Sequence, residues 1–169
     1  MLQIQTFDQR AGGNVLYKAL AHPLAAEKIV RLYARLREAA PVALYDPDGI
    51  AEALLALYPE LPNLVGVYVH DTGQVGRVRG GHTARALTAL PASGAATVLV
   101  AAFDASRTAA RIKTLLPAGA ATLTLDEVRL PPELLTNHSR YLDRLNFATN
   151  FVFFRDEDGL STRLVSANY

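Results

Sequence analysis

Four short apolar segments alternate with amphipathic segments between about residues 42 and 130, and this alternation limits the possible folds most strongly. The four segments are VALY (42–45), LVGVYV (64–69), ATVLVAAF (96–103) and ATLTL (121–125). Strands that helices cover on both faces of a parallel sheet appear as uninterrupted apolar runs. The pattern therefore predicts an α/β fold with a doubly wound, mainly parallel, four-stranded sheet.

The segments around these strands have helical patterns. HPLAAEKIVRLYARLREAA begins near Pro23 and has apolar residues at near-helical spacing, namely Leu24, Ile29, Leu32 and Leu36. GIAEALLALY has an apolar face and ends at Pro59. We also expect helices in HTARALTAL, SRTAARIKTLL and ELLTNHSRYLDRLN.

These elements suggest three regions. Residues 1–40 form an N-terminal arm and an amphipathic helix that packs on the core, and residues 41–131 form a Rossmann-like α/β domain. Residues 132–169 form a C-terminal helix and a β-hairpin, in which FVFFRDEDGLSTRLVSA turns at an acidic, glycine-containing sequence. Because the strand pattern runs to the last residue, we expect a downstream domain or a homo-oligomer contact through this hairpin.

Composition excludes several classes of protein. The net charge of +1, with dispersed arginines, argues against a nucleic-acid partner. The absence of cysteine excludes disulfides and cysteine-based zinc sites. The polar N-terminus has no long apolar run, which argues against a signal peptide or membrane anchor, so we expect a cytoplasmic location. The Ala-, Leu- and Arg-rich composition suggests a bacterial source.

The turn that joins the first strand to its helix, DPDG, places Asp46, Asp48 and Gly49 where a nucleotide-binding protein usually has a glycine-rich loop. The simplest interpretation is structural: Asp48 caps the helix, Pro47 sets the turn, and Asp46 benefits from the positive helix end. Asp104 and Ser106 are cap candidates for the later helix SRTAARIKTLL.

A functional interpretation uses the same acidic residues. Loops that follow the strands on either side of a topological switch point form the usual ligand crevice of such sheets. We therefore expect Asp46, Asp48, Asp104 and Ser106 to converge there, joined by Asp71. Such an acidic crevice would favour a metal ion, an amine or a basic segment of a partner.

The loop GQVGRVRGGHTAR combines glycines with Arg77, Arg79 and Arg85. These groups could surround an anion through backbone N–H and guanidinium contacts. The alternative is a flexible surface loop with solvated arginines. The chain has neither a Gly-x-Ser-x-Gly elbow nor a Walker loop, so the corresponding serine-hydrolase and P-loop functions have no support.

The order of these motifs resembles small Rossmann-like domains of sugar-modifying enzymes. The matching stretches are VALYDPDGIAEALLALY, LVGVYVHDTGQVGRVRGG, ATVLVAAFDASRTAARIKTLLPAG and ATLTLDEVRLP. Similar runs occur in the N-terminal domains of sugar acyltransferases, the C-terminal domain of sugar C-methyltransferases and CoA-binding-like domains. The resemblance covers about half of the chain and implies a nucleotide, NAD or CoA-type ligand.

The phosphate loop departs from that pattern. Asp46 and Asp48 stand where the first two glycines of a dinucleotide fingerprint belong, and Ala51 stands at the third. Carboxylates there oppose the attraction between a pyrophosphate and the helix N-terminus. Asp71 lies about two residues beyond the position of the usual ribose-binding acid, which Val69 occupies.

An apolar strand followed by Asp-x-Asp-Gly also resembles the first motif of the haloacid-dehalogenase phosphatases. That resemblance implies Asp46 as nucleophile, Asp48 as general acid and base, and both as Mg²⁺ ligands. Lys113 would then lie near the phosphate, and Asp126 with Glu127 would form the distal acidic pair. Ile50 replaces the usual threonine, and the helix begins at once.

The sequence therefore leaves several functions open, among them a protein–protein module whose N-terminal helix and C-terminal hairpin form an interface. The first is a non-catalytic or weakly ligand-binding Rossmann-like module, the N-terminal domain of a larger bacterial protein that acts on sugars or small metabolites. Its ligand-binding candidates are Asp46, Asp48, Gly49, Asp71, Asp104, Ser106 and Arg77. The alternatives are an Mg²⁺-dependent phosphatase that uses Asp46 and Asp48, and a domain that binds a nucleotide, NAD or CoA-type ligand.

Overall fold

The computed structural model describes residues 13–61 and 63–147. It shows an α/β fold with a mixed, mostly parallel sheet of six strands. The helices are α1 (Gly13–Ala21), α2 (Pro23–Glu38), α3 (Ala51–Leu57) and α4 (Ser106–Ile112). The strands are β1 (Val42–Tyr45), β2 (Leu64–Val69), β3 (Val78–Arg79), β4 (His82–Ala86), β5 (Thr97–Val100) and β6 (Ala121–Thr124).

The strand order in the sheet is β3-β4-β2-β1-β5-β6. Among the described strands, five run parallel, and β3 is antiparallel to its neighbour β4. The four predicted strands are confirmed as β1, β2, β5 and β6, but the predicted count of four is wrong. Strands β2, β4 and β3 lie on one side of β1, and β5 and β6 lie on the other. The strand order therefore reverses between β1 and β5, which is the topological switch point.

The two additional strands form a hairpin. Arg79 pairs with His82, and the two-residue turn between them consists of Gly80 and Gly81, both with positive φ. Such a turn matches the twist of an antiparallel hairpin. The prediction of a helix in HTARALTAL is wrong, because its first half is strand β4 and its second half is a 3₁₀ helix, Leu87–Ala92.

Helices cover both faces of the sheet. One face packs against α1, α2 and α3, and the other packs against the Leu87–Ala92 helix and α4. The predicted amphipathic helix is confirmed as α2, where Ile29, Leu32 and Leu36 are buried. Leu24, which the pattern placed on the same face, is exposed.

The segment after β6 differs from the prediction. ELLTNHSRYLDRLN does not form one helix; it contains two short 3₁₀ turns, Pro132–Leu134 and Arg144–Phe147, joined by bends and turns. The Asn137 side chain accepts hydrogen bonds from the N–H and hydroxyl groups of Ser139, and such local bonds compete with helix formation. The predicted hairpin lies outside the described residues, as does the arm before residue 13.

Tyr141 anchors this segment to the sheet. Its ring is fully buried, with its centroid 4.5 Å from that of Phe103 and 5.4 Å from that of Phe147. Its hydroxyl oxygen accepts a hydrogen bond from the buried N–H of Leu130. The aromatic cluster therefore joins the end of β5 to the last described residues.

Candidate functional site

The turn after β1 is organised by Asp46. This residue is only 3% exposed, and its Oδ1 accepts hydrogen bonds from the backbone N–H groups of Ile50 (2.8 Å) and Ala51 (3.2 Å). Asp46 therefore caps α3. The prediction that Asp48 provides this cap is wrong, because Asp48 is exposed and the helix begins without a bond from it.

The cap determines what the helix end can bind. In phosphate-binding loops, the N–H groups at the start of the first helix are directed at the ligand phosphate. Here the carboxylate of Asp46 occupies two such groups. A phosphate group could use them only if it displaced a buried side chain of the same charge.

The second carboxylate oxygen of Asp46 accepts no hydrogen bond from the described part of the chain. Oδ2 is buried, and no donor among the described residues reaches it. Burial raises the pKa of Asp46, whereas the backbone N–H groups of Ala51, Ile50 and Gly49 and the charge of Arg79 lower it, and burial is the larger effect. The turn therefore holds one satisfied and one unsatisfied oxygen.

Arg79 approaches the same region from the β3–β4 hairpin. Its Nη1 donates to Glu52 Oε2 at 2.9 Å, and its Nη2 donates to Gln74 Oε1 at 2.6 Å. Its Nε is buried and has no partner among the described residues. The Arg79 side chain is 17% exposed. Its two hydrogen bonds, to Glu52 and to Gln74, hold the guanidinium group from two sides.

A cleft of about 240 Å³ lies where these side chains meet, beyond the carboxyl ends of β1 and β2. It is lined by Asp46, Pro47, Asp48, Gly49, Val69, Asp71, Gln74 and Arg79. Asp71 is exposed, and its Oδ1 accepts a hydrogen bond from the N–H of Gly73 at 2.8 Å. The cleft thus presents three carboxylates and one guanidinium.

The structure brings together four of the predicted site residues and separates the others. Asp46, Asp48, Gly49 and Asp71 line the cleft. Arg77 is exposed and does not line it; Arg79 does. From the sequence, Arg79 was only one of three arginines in a glycine-rich loop. The Gly80-Gly81 pair that follows it is typical of a hairpin turn, and this signal could have predicted that Arg79 lies on a strand beside the cleft.

Asp104 and Ser106 lie away from the cleft. Asp104 accepts hydrogen bonds from Arg129 Nη1 (2.6 Å) and the Tyr141 N–H (2.9 Å). Neither it nor Ser106 caps α4, because the N-cap residue is Ala105 and the helix start receives no side-chain hydrogen bond from the cap position. The carboxylate of Asp126 instead accepts from the N–H groups of Asp104 and Ala105.

The remaining residues of the phosphatase motif are not gathered at Asp46. Lys113 is exposed, Asp126 is engaged with the loop after β5, and Glu127 pairs with Arg35. Within residues 13–61 and 63–147, no group of three or more His, Asp or Glu side chains is arranged to hold a metal ion.

The fold and the cleft define an α/β protein with a polar cavity at the carboxyl ends of two neighbouring parallel strands. The chain matches no protein-family model and no curated protein sequence. In the described part of the chain, no helix has both the length and the apolar character needed to cross a membrane.

Proposed function

We propose that this chain is a Rossmann-like module that binds a small polar ligand in the cleft between the turn after β1 and the β3–β4 hairpin. The observation that carries the proposal is that two residues lining this cleft each hold a buried polar atom without a partner among the described residues, Asp46 Oδ2 and Arg79 Nε. Buried polar atoms are nearly always hydrogen-bonded, and each unsatisfied one costs about 1–3 kcal/mol. A ligand that meets both needs would recover that cost.

Binding without catalysis is the better supported activity. The lining residues include no histidine, serine, threonine or lysine, so the carboxylates are their only nucleophile or base candidates. One oxygen of Asp46 is committed to the α3 amides. The resemblance to domains of sugar-modifying enzymes extends the proposal to a module of a larger, cytoplasmic bacterial protein that acts on sugars or small metabolites.

Dinucleotides and CoA are disfavoured as ligands. The Asp46 carboxylate occupies the amides that a pyrophosphate would use, and Asp48 and Asp71 add negative charge to the same cleft. We therefore expect NAD, CoA and nucleotide-sugars to bind no more tightly than about 1 mM, a free energy of about −4 kcal/mol.

Titration of the ¹⁵N-labelled chain with small metabolites, followed by NMR, tests the proposal. Saturable shifts of the Gly49 and Gly73 amides are expected for at least one small polar compound, and no such shift for NAD or CoA below millimolar concentration. Micromolar binding of a dinucleotide would overturn this assignment. Hydrolysis of phosphate monoesters that requires Mg²⁺ and is abolished in Asp46→Asn would establish the phosphatase instead.

A further inference from the structure

The two unpartnered atoms of the cleft-lining residues Asp46 and Arg79 require opposite hydrogen-bonding groups. Asp46 Oδ2 needs a donor, and the Nε–H of Arg79 needs an acceptor. An ammonium group can only donate, and a carboxylate group can only accept. A hydroxyl group does both, because it carries one O–H and two lone pairs.

The charge of the cleft favours a neutral ligand. Three carboxylates, those of Asp46, Asp48 and Asp71, line the cleft together with one guanidinium, that of Arg79. That guanidinium is already paired with Glu52 at 2.9 Å. An anion would therefore meet net repulsion, and a cation would leave the Nε–H of Arg79 without an acceptor.

The excess of acceptors favours several hydroxyl groups over one carboxamide. The carboxylates offer many lone pairs, whereas an amide NH₂ supplies only two donors. A volume of about 240 Å³ is below the roughly 300–1,000 Å³ of pockets that hold drug-sized ligands. A compact group of the size of one sugar ring therefore suits the cleft.

We infer that the cleft binds a neutral polyol through neighbouring hydroxyl groups, of which one donates to Asp46 Oδ2 and one accepts from Arg79 Nε–H. This inference rests on the proposed function and specifies its ligand class. Both atoms are buried, so the side chains of the cleft wall must shift slightly when the ligand enters.

The experiment compares five probes by NMR at the Gly49 and Gly73 amides. The neutral polyols are myo-inositol and methyl α-D-glucopyranoside; the others are inorganic phosphate, putrescine and acetamide. Saturable shifts with at least one polyol, and none with the other three probes at equal concentration, are expected.

Matched variants then locate the contacts. Asp46→Asn and Arg79→Lys should each weaken polyol binding by about tenfold or more, because each removes a hydrogen bond to a charged group. Asp48→Asn removes the same charge from an exposed position of the same cleft, so its loss should stay below about threefold. Arg77→Lys, outside the cleft, should bind as the wild type does.

The outcomes separate this inference from the proposed function. If putrescine, phosphate or acetamide shifts the cleft amides and the polyols do not, the ligand class is wrong while the binding function stands. If no small compound shifts them, both fail. Equal losses in Asp46→Asn and Asp48→Asn would also overturn the inference, because cleft charge alone would then explain binding. Arg79→Lys provides the comparison if Asp46→Asn does not fold.

Discussion

At the residue scale, the two oxygens of the Asp46 carboxylate have different environments, and only one of them is satisfied. Oδ1 caps α3, and Oδ2 is buried with no donor among residues 13–61 and 63–147. Local sequence indicated that an aspartate would cap this helix but selected Asp48. The structure uses Asp46 because its buried position at the end of β1 places the carboxylate beneath the turn, level with the first amides of α3.

Burial of Asp46 predicts a specific pH dependence of stability. Its pKa is raised above 3.8, chiefly by burial, so the folded state holds this proton more tightly than the unfolded state does. The contribution of the protonated Asp46 side chain to the free energy of unfolding is fully present below pH 3.8, and it is lost as the pH rises through the raised pKa. Asp46→Asn cannot titrate but keeps an oxygen for the cap.

Urea unfolding of both proteins between about pH 3 and about pH 8 measures this effect. The free energy of unfolding of the wild type minus that of Asp46→Asn should fall as the pH rises across the window. A difference that is constant or rises with pH would contradict the burial effect.

At the element scale, the β3–β4 hairpin depends on contact between its turn and α3. Gly80 has φ +52°, and a Cβ there would lie 2.3 Å from Leu55 Cδ1 and 2.7 Å from Leu55 Cβ. Gly81 has φ +83° and open space around it. The hairpin positions Arg79, so the same contact positions one wall of the cleft.

Alanine substitutions at the two glycines should therefore differ. Gly81→Ala should cost about 1–2 kcal/mol for the left-handed backbone alone. Gly80→Ala adds the overlap with Leu55, so we expect a cost of about 2–5 kcal/mol, together with weaker ligand binding through displaced Arg79. Thermal and urea unfolding provide the measurement, and equal costs would show that the close approach to α3 is unimportant.

The elements that could be predicted are those whose patterns reflect burial. β1 and β5 are continuous apolar runs because both faces are covered, and their burial is complete. The β3–β4 hairpin was missed because its strands are short and partly exposed, with charged residues such as Arg79 and Arg85. The Gly-Gly turn was recognisable in the sequence. However, the flanking residues do not alternate between apolar and polar as a half-buried strand does, so HTARALTAL was interpreted as a helix.

At the scale of the whole molecule, Tyr141 links distant parts of the chain. Its N–H donates to Asp104 after β5, its hydroxyl oxygen accepts from Leu130 after β6, and its ring packs on Phe147. The carbonyl oxygen of Phe147 accepts a hydrogen bond from Lys18 Nζ at 3.0 Å, which extends the linkage to α1.

Tyr141→Phe removes only the hydroxyl and leaves the buried Leu130 N–H without its acceptor. We expect a loss of about 1–3 kcal/mol in the free energy of unfolding, with faster hydrogen exchange at Leu130. Tyr17→Phe is the control: that tyrosine is 46% exposed, and we expect a change within about 0.5 kcal/mol. Equal effects of the two substitutions would contradict the linking role of Tyr141.

The sequence could predict only in part which side chains lie together at the candidate site. Asp46 and Asp71 follow neighbouring parallel strands, so topology alone brings them to one edge. Asp104 also follows a neighbour of β1, but its carboxylate bonds Arg129 and Tyr141, which belong to segments beyond β6. Strand order determines which loops share an edge, whereas contacts distant in sequence determine which way each side chain turns.

The cap on α3 has one further consequence. The Asp46 carboxylate is hydrogen-bonded to the same helix amides that an external phosphate would need, so it competes with that phosphate. Because Asp46 is part of the chain, its effective concentration at these amides is high and does not depend on the concentration of any metabolite. For the function proposed above, the backbone turn itself therefore acts against phosphate-containing ligands. Specificity in the proposed site begins with exclusion, before any contact with a preferred ligand is made.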